Sequence, residues 1–407
     1  MYVQRTLEAV VTRAARHFPV VLVTGARQVG KTTLLRHASE AERTYVTLDD
    51  PLVATLARTD PALFLQRFPP PVLIDEIQYA PELLPYIKMS VDRDERPGLF
   101  WITGSQHFHL MKGVSESLAG RVAVIRLLGL TRAEMAGDGS DVPPFLPTPD
   151  ENARRIGRAR RLTLMELYRI IWRGNLPAIA IDEGVDRDLF YSSYVQTYLQ
   201  RDLRDLARVG DETAFVRFLR AAAARTAQLL NLADLARDVD VAPNTAGSWL
   251  SILETAGIVH LLEPFHTNVS KRLVKTPKLY FLDTGLVAYL TAWGSPEVLE
   301  AGAMSGAILE TWVVGEVLRS YWHNGLRPPA FYYRDKDGRE IDLLLERDGV
   351  VHPLEIKKTA SPSTAHVRHF RALERLGLTI GPGAVICLAE TSLPLSASDV
   401  SLPTWGV

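Results

Sequence analysis

Apolar residues in the first 130 positions come in short runs, at 20–24, 45–48, 72–75, 99–103 and 122–128, separated by stretches with helical spacing. Continuous apolar runs of this length read as strands buried on both faces. Their alternation with amphipathic segments predicts a mostly parallel sheet with helices on both faces. Residues 1–18 read as an amphipathic helix leading into the first strand. The rhythm stops at 137–150, GDGSDVPPFLPTPD, whose Gly, Pro and Asp content marks a linker. The basic cluster RRIGRARR at 154–161 either faces phosphate or lies on a solvated face.

A second pattern occupies 229–263, in the order helix, tight turn, helix, strand. Leu232, Leu235 and Ala236 share one helical face, and Val241-Ala242-Pro243 makes the turn. Asn244 can cap the next helix, Trp249, Leu250 and Leu253 form its apolar stripe, and Gly257 ends it. This predicts a winged helix-turn-helix, either a reader of DNA or a packing module. Asn244, Thr245, Ser248 and Ser251 would form its exposed face, and Lys271, Arg272, Lys275 and Lys278 are assigned to the wing. From 307 the pattern becomes an apolar helix bearing Glu310, with Glu316 further along it, and then three strands. The strands lie near 331–334, 340–345 and 351–358 and are joined by turns at Asp335-Lys336-Asp337-Gly338 and Arg347-Asp348-Gly349. The expected domains are 1–136, 137–215, 216–292 and 293–407.

Composition changes this picture little. A hydrophobic content of 47% supports several cores. The net charge of -1 does not indicate a strongly basic partner-binding protein, although a local basic face remains compatible with nucleic acid. The single cysteine, Cys387, excludes an internal disulfide framework and a Cys-rich metal site, and it fits a reducing cytoplasm. No apolar stretch is long enough for a membrane span, and the N-terminus lacks a signal-peptide core. A cytoplasmic protein with no membrane partner is therefore expected.

Ligands of parallel sheets bind at the carboxyl ends of the strands. The first run leads into Gly25-Ala26-Arg27-Gln28-Val29-Gly30-Lys31-Thr32, a full G-x-x-x-x-G-K-[ST] phosphate loop, and Thr33 after it is a further candidate for nucleotide contact. Its glycines let successive N–H groups converge on an anion, and the following helix adds the positive end of its dipole. Lys31 would reach the β- and γ-phosphates of ATP, and the Thr32 hydroxyl would ligate Mg²⁺. The third run ends in Asp75 and Glu76. Asp75 fits the acid that holds Mg²⁺, and Glu76 the base that polarises the attacking water. Ser105 and Gln106, after the fourth run, are candidates for sensing the γ-phosphate. Arg121 is either a guanidinium aimed at phosphate, in cis or in a neighbouring subunit of a homo-oligomer, or a structural ion pair.

Further on, Asp342 and Glu355-Ile356-Lys357 form a D…E-x-K arrangement on adjacent strands, and period two puts Glu355 and Lys357 on one face. Two carboxylates so placed can share Mg²⁺ or Mn²⁺, and the lysine can orient or deprotonate water. The alternative is a strand pairing its own charges on a solvated face. His352 and Lys358, nearby, are expected at the surface.

The phosphate loop, LIDEI at 73–77, ITGS at 102–105 and SLAGR at 117–121 together resemble the prokaryotic AAA-type ATPases. More narrowly, nearly the whole chain resembles the family in which such an ATPase precedes a poorly characterised C-terminal module. RGNLP at 173–177 is similar to that family's GGFP-like segment, with Arg173 and Asn175 as departures, and YSSYVQTYLQRDLRDL at 191–206 to its tyrosine-rich helix. Both suggest structural roles. The D…E-x-K residues resemble the PD-(D/E)xK nucleases, with Glu310 matching that family's extra acidic ligand and IDLLL standing where the two-residue PD form would be.

These resemblances imply an α/β protein with a RecA/AAA-like parallel sheet, a helical and winged-helix middle, and a C-terminal restriction-endonuclease-like α/β domain. They imply an ATP-hydrolysing protein that acts on DNA through a Mg²⁺-dependent nuclease-like domain. A second reading is an ATP-dependent switch whose C-terminal domain binds DNA or a protein partner and cuts nothing. A third is a DNA-binding regulator centred on the winged helix.

Overall fold

The computed structural model describes residues 2–104, 113–114, 116–199, 212–266 and 276–407. The chain divides into two compact units. The first comprises Met1–Val142, Thr255–Gly257 and Trp322–Leu326, and the second Pro143–Glu254, Ile258–Tyr321 and Arg327–Val407.

In the first unit the five apolar runs become strands β1 (Val20–Thr24), β2 (Thr44–Thr47), β3 (Val72–Asp75), β4 (Phe100–Gly104) and β5 (Val122–Arg126). They form one sheet in the order β2-β3-β4-β1-β5, with every neighbouring pair parallel. Strands β1, β3 and β4 are buried at every position, which is why they read as unbroken apolar runs. The edge strands β2 and β5 are only partly covered. The helix Leu83–Arg93 lays Leu83, Leu84, Ile87 and Val91 onto this core beside Ile74, Phe100 and Ile102. Truncating such a residue, Ile87→Ala for instance, is expected to cost roughly 2–5 kcal/mol through lost transfer energy and the cavity left behind. The sheet order places the carboxyl ends of β1, β3 and β4 side by side.

The second unit holds two sheets. The smaller is antiparallel, in the order β6-β8-β7, from β6 (Gln228–Leu229), β7 (Val259–Leu262) and β8 (Lys278–Phe281). Helices Glu212–Ala223, Leu232–Asp238 and Pro243–Thr255 lie around these strands in sequence. Phe215 and Phe218 meet Trp249 edge-on at 5.5 and 5.4 Å between ring centres. The third helix starts at Pro243, two residues earlier than a cap at Asn244 implies, because proline's missing N–H has no partner to lose in a first turn. Asn244, Ser248 and Ser251 are exposed, but Thr245 is half-buried. Lys271, Arg272 and Lys275 lie outside the described residues. Lys278, assigned to the wing, stands on β8 and is buried.

The larger sheet runs β14-β13-β11-β10-β9, from β9 (Ala330–Arg334), β10 (Glu340–Arg347), β11 (Val350–Lys357), β13 (Gly383–Cys387) and β14 (Asp399–Pro403), with β12 (Thr379–Ile380) also paired to β11. Strands β9, β10 and β11 are antiparallel, whereas β11, β13 and β14 are parallel. Both expected turns form. In the first, Asp335 Oδ1 accepts from the N–H groups of Asp337 and Arg339, each at 2.9 Å. The register of β10 against β9 shifts between Ile341 and Leu344, so Asp342 and Leu343 together face Tyr332. Such a bulge re-aims a side chain. The helix Ser305–Trp322 precedes this sheet and carries Glu310 and Glu316.

The basic cluster is largely neutralised from within. Arg154 and Arg155 pair with Glu151, Arg160 with Glu166, and Arg161 lies over the Trp405 ring. No helix among the described residues is long and apolar enough to cross a membrane.

Candidate functional sites

The first site stands at the carboxyl ends of β1 and β3. A Cβ on Gly25 would meet the Leu127 carbonyl oxygen at 2.1 Å, so this turn closes only around glycine. Gly30, with φ +91°, brings the chain into the helix Lys31–Ala38. Lys31 is buried, and its Nζ donates to the carbonyls of Gly25 at 3.1 Å and Ala26 at 3.0 Å, which holds the ammonium within the loop. Ala26 and Val29 are buried, Arg27 is half-buried, and Gln28 and Thr33 are exposed.

Asp75 sits in a ring of hydroxyls. Thr32 Oγ1 donates to its Oδ1 at 2.7 Å and the Tyr45 hydroxyl to its Oδ2 at 3.1 Å, while the Thr103 hydroxyl also donates to Oδ1. Burial and then the Asp75 charge raise the Tyr45 pKa, which keeps it a donor. A buried carboxylate and a threonine hydroxyl in contact form a hard-oxygen pair suited to Mg²⁺. Thr103 Oγ1 also accepts from the Glu76 N–H at 2.9 Å. That bond holds Glu76 at φ +60°, a left-handed conformation that non-glycine residues seldom adopt. The Glu76 carboxylate is hydrogen-bonded to Gln78. Thr103 lies within the ITGS motif but was given no role there, Tyr45 carries no motif signal, and the parallel register brings both to Asp75. Ser105 and Gln106 lie outside the described residues.

Arg121 pairs with Asp92 on the partly exposed surface and holds that carboxyl below its ordinary range. Here its guanidinium makes a structural ion pair within the chain. Arg5, which the sequence reading passed over, is 4% exposed and supports the phosphate loop. It donates to the carbonyls of Val29 at 3.0 Å and Leu128 at 2.7 Å, and it pairs with Glu134 at 3.2 Å. Burial alone would raise the Glu134 carboxyl, but Arg5 and His323 override it and hold the group well below the usual carboxylate range.

The second site lies in the second unit and gathers the D…E-x-K residues as expected. Asp342 Oδ2 accepts from the Ile356 N–H at 2.9 Å and from Lys357 Nζ at 3.3 Å. Lys357 Nζ also lies 2.7 Å from Glu355 Oε1. Glu310 arrives from the preceding helix, and its Oε1 accepts from the Tyr280 hydroxyl at 2.6 Å. Burial and then the Asp342 charge push both Glu310 and Glu355 up to about 7. Lysines relieve each only in part. Sequence reading missed three members of the cluster. Lys278 and Tyr280 come from alternate positions of β8, and Glu340 from the start of β10. Polar residues at period two inside an apolar strand are the one signal that marks the first two.

Mg²⁺ or Mn²⁺ fits this second site poorly. One buried oxygen, Glu355 Oε2, has no hydrogen-bond partner and could accept a cation. The oxygens of Glu310 and Asp342, however, already face Lys278, whose Nζ is 3.3 Å from Glu310 Oε1 and 3.8 Å from Asp342 Oδ1. Burial would lower the pKa of Lys278, but Glu310, Asp342 and Glu340 more than offset this and keep it charged. Among the described residues, no group of three or more His, Cys, Asp or Glu side chains is placed to hold a metal ion.

His352 is a further departure from expectation. It is buried rather than superficial, with Nδ1 3.0 Å from the Pro382 carbonyl oxygen. Lys358 is partly exposed and pairs with Glu300. The two family-like segments of the middle region meet around Asp283. Its Oδ2 accepts from the Asn175 N–H at 2.6 Å, and its Oδ1 from the Tyr191 hydroxyl at 2.8 Å and the Leu286 N–H at 2.6 Å. A Cβ on Gly174 would come within 2.3 Å of the Tyr191 hydroxyl oxygen, so this glycine is needed for the close approach.

The family model of an AAA domain matches residues 17–136. Two domains of unknown function, DUF8612 and DUF4143, match 165–297 and 305–405. The second of these matches therefore adds no support to the nuclease resemblance. The uncharacterized proteins Rv2008c of Mycobacterium tuberculosis (strain ATCC 25618 / H37Rv) and Mb2031c of Mycobacterium bovis (strain ATCC BAA-935 / AF2122/97) are each 32% identical to this chain over 402 residues, covering 98% of it and 83% of the relative. Among solved structures, the Walker-type ATPase PABY2304 of Pyrococcus abyssi is similar over 70% of this chain and 94% of its own, at 14% identity and a TM-score of 0.41. The chain belongs to the same family as the two mycobacterial proteins, and its first unit carries the AAA domain of a P-loop ATPase.

Proposed function

We propose that this protein is an ATP-dependent molecular switch: a Mg²⁺-ATP hydrolase whose nuclease-like C-terminal domain binds DNA or a protein partner without cutting. The observation that carries the hydrolase is Asp75, buried and held by Thr32, Tyr45 and Thr103 beside a complete phosphate loop. The N–H groups of residues 25–32 and the Lys31 ammonium would bind and orient the phosphates. Thr32 and Asp75 would hold Mg²⁺, which supplies charge neutralisation on the β- and γ-oxygens. Glu76 would accept a proton from the attacking water, in a position held by its N–H bond to Thr103. Purified protein is expected to release phosphate from ATP in the presence of Mg²⁺. A protein that releases none, with or without DNA, is no hydrolase.

A second reading keeps the C-terminal domain as a Mg²⁺- or Mn²⁺-dependent deoxyribonuclease. Its support is the convergence of Asp342, Glu355 and Lys357 and the unpartnered Glu355 Oε2. A cleavage panel of duplex, single-stranded and branched DNA, with either metal and with or without ATP, separates the two readings. Cleavage that disappears in Asp342→Ala and Lys357→Ala establishes the nuclease. If DNA is the partner, the helix Pro243–Thr255 has no Lys or Arg to meet phosphate, so backbone contacts must come from other residues. Arg121 pairs with Asp92 in the same chain, and sedimentation of the ATP-bound protein by analytical ultracentrifugation tests a homo-oligomer.

A further inference from the structure

Three carboxylates in the second unit converge on a cation that the chain itself supplies. Lys278 Nζ lies 2.6 Å from Glu340 Oε1, 3.3 Å from Glu310 Oε1 and 3.8 Å from Asp342 Oδ1. The three acids come from a helix and from two positions of β10, and Lys278 comes from β8. Its side chain is 3% exposed. Glu340 and Glu310 lie within hydrogen-bond reach of this ammonium, and Asp342 adds a charge contact at 3.8 Å. Hard divalent cations take the same kind of oxygen donor set. An ion shared by Glu310 and Asp342 would have to stand beside the ammonium, in a buried setting where like charges repel strongly. Moving the ammonium aside would leave a buried lysine without its partners. Further donors fix the carboxylates around it: Tyr280 on Glu310, and the Ile356 N–H with Lys357 on Asp342.

We propose that Lys278 is a resident cation that occupies the place of a divalent ion between Glu310 and Asp342. The Glu310–Asp342 side of the nuclease-like site then has its positive charge without metal. Lys278 supplies the positive charge that holds the acidic residues together, and Lys357, at 38% exposure, is the charge left facing outward. Metal-assisted phosphodiester cleavage has no ion to run on. The inference deepens the switch reading and rests on it only for its biological use. Its test reads metal binding rather than ATP turnover, so either can fail without the other.

The experiment titrates Mn²⁺ into the nucleotide-free, full-length protein and follows the free-ion signal by electron paramagnetic resonance. Wild type and Asp342→Asn are expected to bind the same amount of Mn²⁺. Lys278→Met is expected to gain about one Mn²⁺ site per chain that wild type lacks. Adding Asp342→Asn to Lys278→Met should abolish that site. Uptake by wild type that falls in Asp342→Asn overturns the proposal. So does a Lys278→Met protein that is folded by circular dichroism and gains no site. If Lys278→Met does not fold, Lys278→Gln replaces it, and the comparison of wild type with Asp342→Asn decides the question alone.

Discussion

Asp75 and Asp342 are the same residue type in the same kind of place, a buried strand position in a site that also contains a lysine, yet their surroundings prepare them for opposite ends. Asp75 is held by the hydroxyls of Thr32, Tyr45 and Thr103, all neutral donors. They fix its geometry and leave its charge unspent, which is what a Mg²⁺ ligand requires. Asp342 is held by a backbone N–H and Lys357, with Lys278 beyond. There the positive charge is already present. A motif records which residues are near each other in sequence. Whether a carboxylate can take a cation depends on whether its donors are neutral or charged.

The comparison can be broken at several points. The largest effect is expected for Lys31→Ala, which should reduce phosphate release by on the order of a hundredfold or more. Asp342→Ala should leave ATP turnover within about twofold, because it lies in the other unit's chemistry. Equal loss in the two variants would mean that the sites do not act as described. Next comes Glu76→Gln, with hydrolysis slowed about a hundredfold and nucleotide affinity nearly unchanged. Parallel loss of affinity, measured by fluorescent nucleotide titration, would make Glu76 a binding residue instead. Arg5→Ala should destabilise the first unit by roughly 3 kcal/mol in denaturant unfolding, since it leaves Glu134 buried with less of its compensation.

Acid should sharpen the contrast, because the buried acids of the two units shift in opposite directions. Glu310 and Glu355 titrate at about 7 in the folded chain, above the ordinary value of 4.5. Their contribution to stability is therefore fully present below pH 4.5 and is lost as pH rises through about 7. Glu134 is shifted downward, so its contribution is present above the ordinary carboxylate pKa and lost only as pH falls well below it. Between pH 5 and pH 8 the second unit should lose stability, and Glu310→Gln should flatten that loss. An unchanged slope in the variant would remove Glu310 as its source. The smallest effect is expected for Asp92→Asn, which removes the exposed partner of Arg121 and should leave the unfolding midpoint unchanged within error. A drop in phosphate release in that variant would show that the ion pair positions Arg121 for catalysis.

Much of the first unit was readable from residue order, because its elements are local. Strands β1, β3 and β4 are buried on both faces and so appear as unbroken apolar runs, and the phosphate loop is one contiguous segment. The D…E-x-K pair was readable too, since a hairpin brings β10 and β11 together by a short turn. What could not be read was every partner that arrives from a distance. Thr103 reaches Asp75 across 28 positions, and Arg5 reaches Leu128 across 123. Asp283 ties together Asn175 and Tyr191, from two segments that carried only a family resemblance in the sequence. Lys278 shows the limit most clearly. Among lysines and arginines after a helix-turn-helix pattern it reads as a solvated wing residue, and only the pairing of β8 with β7 and β6 puts it inside the second unit. The sequence by itself determined where the nucleotide chemistry lies, because backbone curvature and a lysine in one short loop are enough to specify it. Only the tertiary structure decided what surrounds each carboxylate, because a hydroxyl and an ammonium can bond the same oxygen from any distance along the chain, and one leaves its charge in place while the other cancels it.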